Sequence, residues 1–165
     1  HYIDKKIDKS LLDEMLSAAN LAPSWKNSQT PRFYVATGEK SKNAVREALP
    51  EFNRKNSENA SAYIVTTVVL NRSGFDKDGT AVTEIGNGWG YYDLGLNNMA
   101  LLLKATELGI STLVMGIRDG EKLRKEFDIP ETEAVVSVIA VGYTDSEIVR
   151  PKRKSVEDFA KFYED

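Results

Sequence analysis

The sequence has no cysteine and a single histidine, His1, at its first position. The missing cysteines exclude disulfides, thiolate metal sites and cysteine nucleophiles. With His1 at the very end, the body of the chain offers no histidine for a catalytic triad or a metal site. No apolar run reaches the roughly 18 residues that a membrane span needs, and no signal peptide opens the chain, so the expected compartment is the cytoplasm, with no membrane partner. A net charge of −3 gives no overall attraction to nucleic acid or anionic lipid, and any basic patch has to be local. No repeat, low-complexity segment or linker interrupts the 165 residues, a length that suits one domain with a real core, taken here as residues 1–165.

The stretch Trp89–Leu108 stands out as a long helix that is apolar almost all round. Between Tyr91 and Leu103 its polar residues are Asp93, Asn97 and Asn98, with no Lys, Arg or Glu, so no face is dressed for water and the helix is expected to be buried. At about 1.5 Å per residue it runs roughly 30 Å, the width of a small domain. A sheet of the same chain must cover one side. The other side needs further helices or a second copy of the chain.

Around it the punctuation is readable. Asp8-Lys-Ser10 ahead of Leu11, Leu12, Met15, Leu16 and Ala19 predicts a first helix of about three turns, stopped by Pro23. Ala22–Pro31 is too polar and too proline-bounded for helix or strand and predicts a loop. Arg32–Thr37 reads as a strand, Ser41–Leu49 as a short helix closed by Pro50, and Glu51–Asn59 as helix or loop. Ala62–Leu70 is β-branched and nearly continuous, which suits a central strand covered on both faces. Asn71–Asn87, rich in Gly and Asp, predicts a long loop of functional type. After the long helix, Gly109 suits its C-terminal stop, Ser111–Met115 and Ala134–Gly142 read as strands, Asp119–Phe127 as an amphipathic helix, and Ser155–Tyr163 as a terminal helix with a capping box at Ser155-Val-Glu-Asp. The order is that of an α/β or α+β domain with about four strands packed against helices.

Three motifs read as structural. Gly86-Asn-Gly88-Trp-Gly90 lacks the third glycine of a dinucleotide loop, having Tyr91 there, and follows a loop in place of a strand. Asp76-Lys-Asp-Gly79 lacks the later ligands of a calcium loop and reads as a turn. Asp93, early in the long helix, is favoured there by the helix dipole. Two segments read otherwise. The loop Ala22-Pro-Ser-Trp-Lys-Asn-Ser-Gln-Thr30 offers hydroxyls and carboxamides that donate and accept at once, as a uracil-like ring edge or a polyol requires. The tail Arg150-Pro-Lys-Arg-Lys154 holds four cations in five residues; such a run is commonly a solvated face, but Pro151 stiffens it and could hold the cations toward a phosphate.

These segments together resemble the nitroreductase family of flavin mononucleotide (FMN) oxidoreductases. The resemblance is carried by Ala22-Pro-Ser-Trp-Lys-Asn-Ser-Gln after the first helix, Tyr92-Asp-Leu-Gly and Ala105-Thr-Glu-Leu-Gly-Ile on the long helix, Val141-Gly-Tyr, and the Pro-Lys-Arg-Lys tail. It spans about Ile3 to Phe162. It implies an α+β, three-layer sheet-and-helix fold, a homodimer joined along the long central helix, and FMN at the interface, contacted by both chains. It implies that Ser24, Asn27 and Gln29 contact the flavin or its ribityl chain, with Pro23 and Ser24 acting from the neighbouring subunit. It also implies that Met115 and Gly116 bring a backbone N–H near flavin N5, and that Lys152, Arg153 and Lys154 hold the phosphate. The activity implied is transfer of a hydride from NAD(P)H through flavin N5 to a nitroaromatic, a quinone or a similar acceptor, with no catalytic side chain and no metal. Reductive dehalogenation, flavin breakdown and a non-enzymatic flavin-binding dimer are the alternatives on this fold. The sequence begins at His1, just after the place of the family's N-terminal helix and Arg-Arg-Ser-x-Arg-like segment; either it is truncated there or this member lacks them, and for the residues given the expected phosphate site rests on the tail, with Lys26 the expected substitute cation near the ring.

Overall fold

The β-branched run after Ser61 forms the strand on which the rest of the fold is laid. A computed structural model describes residues 1–147 and 149–164. In chain order the elements are α1 (Lys9–Asn20), β1 (Pro31–Ala36), α2 (Glu39–Glu47), α3 (Glu51–Asn56), β2 (Ala62–Val69), α4 (Gly88–Glu107), β3 (Ser111–Met115), α5 (Gly120–Glu126), β4 (Glu133–Gly142) and α6 (Val156–Phe159). The four strands make one antiparallel sheet in the order β1-β2-β4-β3. β2 is central, and its residues from Ala62 to Val68 are all buried.

Side chains alternate across a strand, and this sorts the core into two. Tyr63 and Val65 join Val138, Ala140, Met115, Val45 and Leu123 on the face covered by α2 and α5. Ala62 and Ile64 join Ile139, Val141, Met15 and Leu101 on the face covered by α1 and α4. The result is the three-layer α+β arrangement expected from the sequence. A register shift between Thr66 and Thr67 kinks β2 against β4, close to where the strands meet the polar loop.

α4 starts one residue ahead of the expected stretch and runs 20 residues. Leu101 and Ala105 are fully buried against α1 and the sheet, and Leu94 is buried as well, each large side chain contributing about 1.5–3 kcal/mol. Gly90 lets the helix cross β2 closely, for a Cβ there would lie 2.9 Å from Val68 Cγ2. Gly90→Ala should therefore lower stability by about 1–3 kcal/mol, the usual cost of overpacking, despite alanine's better helix propensity; an unchanged urea midpoint would contradict this.

Two elements differ from expectation or resolve it. Glu51–Asn56 is helical, with Asn53 buried and its amide donating to Ile117 O at 3.1 Å. The terminal helix has only four residues in place of Ser155–Tyr163. Its capping box forms between Ser155 and Asp158, yet Phe159, Phe162 and Tyr163 are all exposed, and a short helix with no packed face does not propagate. Among the described residues no helix is long and apolar enough to cross a membrane.

Candidate functional site

The polar loop between α1 and β1 has an unusual backbone. Ser24 is extended, Trp25–Asn27 makes one 3₁₀ turn, and Lys26, Asn27 and Gln29 all take positive φ, at 45°, 55° and 49°. A left-handed conformation costs a non-glycine residue about 1–2 kcal/mol, less for Asn, so three in four residues need outside support.

Asp93 supplies much of it. The carboxylate is 2% exposed and accepts from the Trp25 amide at 3.1 and 3.2 Å. It also accepts from the Ser73 hydroxyl at 2.5 Å. Because Ser73 spends its one proton on Asp93, the hydroxyls of Ser28 (2.6 Å) and Thr30 (3.2 Å) must donate into Ser73 Oγ. One carboxylate thus orders the loop, the start of β1 and the segment after β2. The sequence reading of Asp93 as a helix-dipole partner is corrected in its cause. The helix begins at Gly88, leaving Asp93 past the first turn, where the dipole effect has faded.

Other ties are local. Ser24 Oγ accepts from the Gln29 amide at 3.0 Å, and the Arg32 guanidinium donates to the carbonyls of Gln29 and Pro31, each at 2.8 Å. Asn97, one turn beyond Asp93, is buried and donates to Asp93 O at 3.1 Å. A cavity of about 190 Å³ opens here, lined among others by Asn20, Ser24, Gln29, Arg32 and Asn97. Among the described residues the Asn27 and Gln29 carboxamides make no hydrogen bond, so both ends of each are open to a ligand. Lys26 lies 3.3 Å from Asp76 Oδ1 in an exposed pair and 5.9 Å from the Trp25 ring centroid. Trp25, Trp89 and Tyr92 pack in series, the first pair tilted at 46° and the second edge-to-face at 74°, with centroids 4.7 and 5.8 Å apart.

Met115 and Gly116 lie elsewhere. The Met115 side chain is buried in the α2/α5 core, leaving only backbone to face a ligand, and Gly116 is exposed with no neighbour within 4 Å of a built Cβ. The segment behind it is fixed by three bonds: Asn53 to Ile117 O, Arg118 to Val135 O, and the Asp119 amide to Ala48 O. β3 and β1 are opposite edges of the sheet, three strand spacings or about 14 Å apart. The loop enters the sheet at Pro31, level with Val68 and Ala134, whereas the tail departs from β4 at Gly142, the other end. Lys152, Arg153 and Lys154 are exposed, and among the described residues their one hydrogen bond is Arg153 to Pro151 O. A single chain therefore sets Pro23, Ser24, Asn27 and Gln29 and the Met115–Gly116 backbone at opposite edges of the sheet, and no bond among the described residues ties the tail cations to either.

Sequence reasoning missed Ser73, Arg32 and Asn97. Asn97 had a signal, since Asp93 and Asn97 are polar residues one turn apart in an apolar helix. Ser73, within an aperiodic loop, had none. Asp76–Gly79 is a turn, with Gly79 N bonded to Asp76 O at 3.0 Å and Thr80 N to Asp78 Oδ1 at 2.9 Å. The Thr80 amide bond holds the exposed Asp78 carboxyl below its usual range. On the α2/α5 face of the sheet, Tyr34 donates to Glu133 Oε2 at 2.9 Å. Burial first, then that carboxylate, push its hydroxyl up to about 12.

Comparison with known proteins gives the same frame. The chain is 28% identical over 153 residues to an Archaeoglobus fulgidus protein named "Putative NADH dehydrogenase/NAD(P)H nitroreductase", covering 88% of this chain and 79% of that protein. A nitroreductase family protein from Streptococcus pneumoniae TIGR4 superposes with a TM-score of 0.84 at 21% identity, over 99% of this chain and 94% of the other. An FMN-dependent nitroreductase from Clostridium difficile R20291 does so with a TM-score of 0.70 at 25% identity, over 96% and 87%. Residues 1–143 match the profile of the Nitroreductase family, and the chain belongs to that family.

Proposed function

We propose that this chain is an FMN-dependent oxidoreductase, a single nitroreductase-like domain working as a homodimer with NAD(P)H as the reductant. The observation that carries the reading is the loop at Ser24–Gln29, whose costly left-handed backbone holds the Asn27 and Gln29 carboxamides free of any partner among the described residues. Carboxamides both donate and accept, which is the donor set that a flavin's alternating ring edge and ribityl hydroxyls demand. The names of the Archaeoglobus and Clostridium relatives support the reductant and the cofactor.

In this reading FMN, when bound, supplies the hydride and electron chemistry between NAD(P)H and an acceptor such as a nitroaromatic or quinone. The chain's own work is placement. Ser24, Asn27 and Gln29, with Pro23 beside them, orient the ring and ribityl chain, and Lys26 lends positive charge nearby from its pair with Asp76. The Met115–Gly116 backbone, fixed through Asn53, Arg118 and Ala48, presents an N–H to the ring. Lys152, Arg153 and Lys154, which form no ion pair among the described residues, hold the phosphate. Because one chain sets the loop and the Met115–Gly116 backbone at opposite edges of the sheet, the dimer completes the site.

The dimer is supported by α4. Tyr92 is 60% exposed, Met99 51% and Leu103 59%, and with Gly95 they form a stripe at three- and four-residue spacing, the pattern of a helix–helix seam. Obligate interfaces of this type run to roughly 2,000 Å² or more.

Titration of the purified protein with FMN and with riboflavin, followed by absorbance, tests the site. Replacing Lys152 and Lys154 with Ala should weaken FMN binding, each charge-assisted contact being worth about 1.5–3 kcal/mol, and leave riboflavin almost unchanged. Equal loss for both, or for neither, would remove the tail from the phosphate site. Anaerobic NADH or NADPH should then bleach the bound flavin; a flavin that binds and is not reduced by either would favour the non-enzymatic dimer.

A further inference from the structure

At the far end of the sheet from the polar loop lies a larger cavity of about 590 Å³, within the usual range for small-molecule sites. Four cations surround it: Lys5 and Lys6 from the segment before α1, and Lys42 and Arg46 one turn apart on α2. Asp4 and Glu39 are the acids in its wall. The positive excess is local, since the protein as a whole carries −3. Like charges at i and i+4 on a helix repel by a few tenths of a kcal/mol, roughly 0.2–0.5, and of Lys42 and Arg46 only Lys42 has an acid beside it, Glu39.

The cations are not all committed. Lys42, with its side chain 19% exposed, pairs with Glu39 at 2.7 Å, and Lys5 sits 4.0 Å above the Tyr143 ring. Lys6 and Arg46 have no ion pair or hydrogen bond among the described residues. Both line the cavity, Lys6 from the segment before α1 and Arg46 from α2. The first turn of α2 opens on the same space with its amides uncapped, because Gly38 has no side chain and the Ser41 hydroxyl donates to Gly38 O instead. Free helix amides next to unpaired cations suit a dianion. Burial raises the Tyr63 hydroxyl in this lining, and the Ser57 hydrogen bond, then Arg46 and Lys42, act against it. The remaining walls are hydroxyl and carboxamide groups, including Thr37, Asn43, Asn59 and Ser61. The one aromatic lining residue, Tyr63, is buried and bonded to Ser57, so there is no platform for a nucleobase.

We infer that this cavity binds a phosphorylated polyol, with Lys6 and Arg46 bridging the phosphate and the Thr37, Asn43 and Asn59 side chains meeting the hydroxyls. It shares no residue with the proposed flavin site. Calorimetric titration of the FMN-supplemented protein with glucose 6-phosphate, glucose and inorganic phosphate tests it. Saturable binding of glucose 6-phosphate is expected, with weaker binding of inorganic phosphate and none of glucose. Lys6→Gln and Arg46→Gln should each weaken it about tenfold or more, the loss of one charge-assisted contact. Lys152→Ala with Lys154→Ala should leave it unchanged. Lys6→Glu, at an exposed position that cannot threaten the fold, should abolish it. No binding of glucose 6-phosphate, binding no tighter than inorganic phosphate, or binding that survives Lys6→Glu would overturn the inference. So would a loss in the tail variant equal to that in Lys6→Gln. Because the FMN titrations read a different set of residues, failure here leaves the flavin reading standing, and the reverse.

Discussion

Leu103→Glu should dissociate the protein and take much of its stability with it, although in the isolated chain Leu103 touches little. At 59% exposure a charge there would be almost neutral for a monomer, within about 0.5 kcal/mol. In a dimer that buries the Tyr92–Met99–Leu103 stripe, the same charge would be desolvated without a partner, at a cost of several kcal/mol per subunit. Leu101→Glu is the control. Leu101 is fully buried against α1 and the sheet, and its replacement should unfold either state. Sedimentation at low micromolar concentration with circular dichroism separates the cases. A wild-type monomer, or a Leu103→Glu dimer of unchanged midpoint, would sink the proposal that α4 is the seam.

Asp93→Ala should be the most damaging single change near the polar loop. It leaves the Trp25 amide and the Ser73 hydroxyl without their acceptor, each buried unsatisfied group costing about 1–3 kcal/mol. The effect on ligand binding should exceed the effect on folding, because the left-handed turn at Lys26–Gln29 loses its anchor while the two cores stay packed. Asp93→Asn should recover part of both, since one carboxamide oxygen can still accept. Urea midpoints and FMN titration of the two variants give the answer. Wild-type stability and affinity in Asp93→Ala would mean that the loop holds its shape without the carboxylate.

Most of the fold was legible because its signals are local. The β-branched run at Ala62–Val69, the apolar α4 and the Gly and Pro stops each announce an element without reference to the rest, and the boundaries fall within a few residues of expectation. α6 was overread for the opposite reason. Its capping box is a local signal and formed, but the remaining length depended on a surface to pack against, which sequence periodicity does not report. The site was half legible. The donor and acceptor chemistry of the loop is readable from the sequence, and the family resemblance singles out Ser24, Asn27 and Gln29 within it as the proposed flavin contacts. Their support was not, because Ser73 and Asp93 reach the loop from 45 and 68 residues away in sequence. Asp93 was noticed and assigned to the helix dipole, a short-range cause, when the bonds that bury it are long-range.

The positive φ angles of Lys26, Asn27 and Gln29 set stability and chemistry against each other at the same positions. Glycine would take those angles without steric cost, so the backbone alone would welcome it at all three. In the proposed flavin site each such exchange would delete the carboxamide or ammonium group on which the reading rests. Schemes that improve the protein by easing unfavourable torsions would therefore choose these residues first and erase the proposed contacts. Thermostabilised versions are better sought on the exposed face of α5, whose residues line neither proposed site.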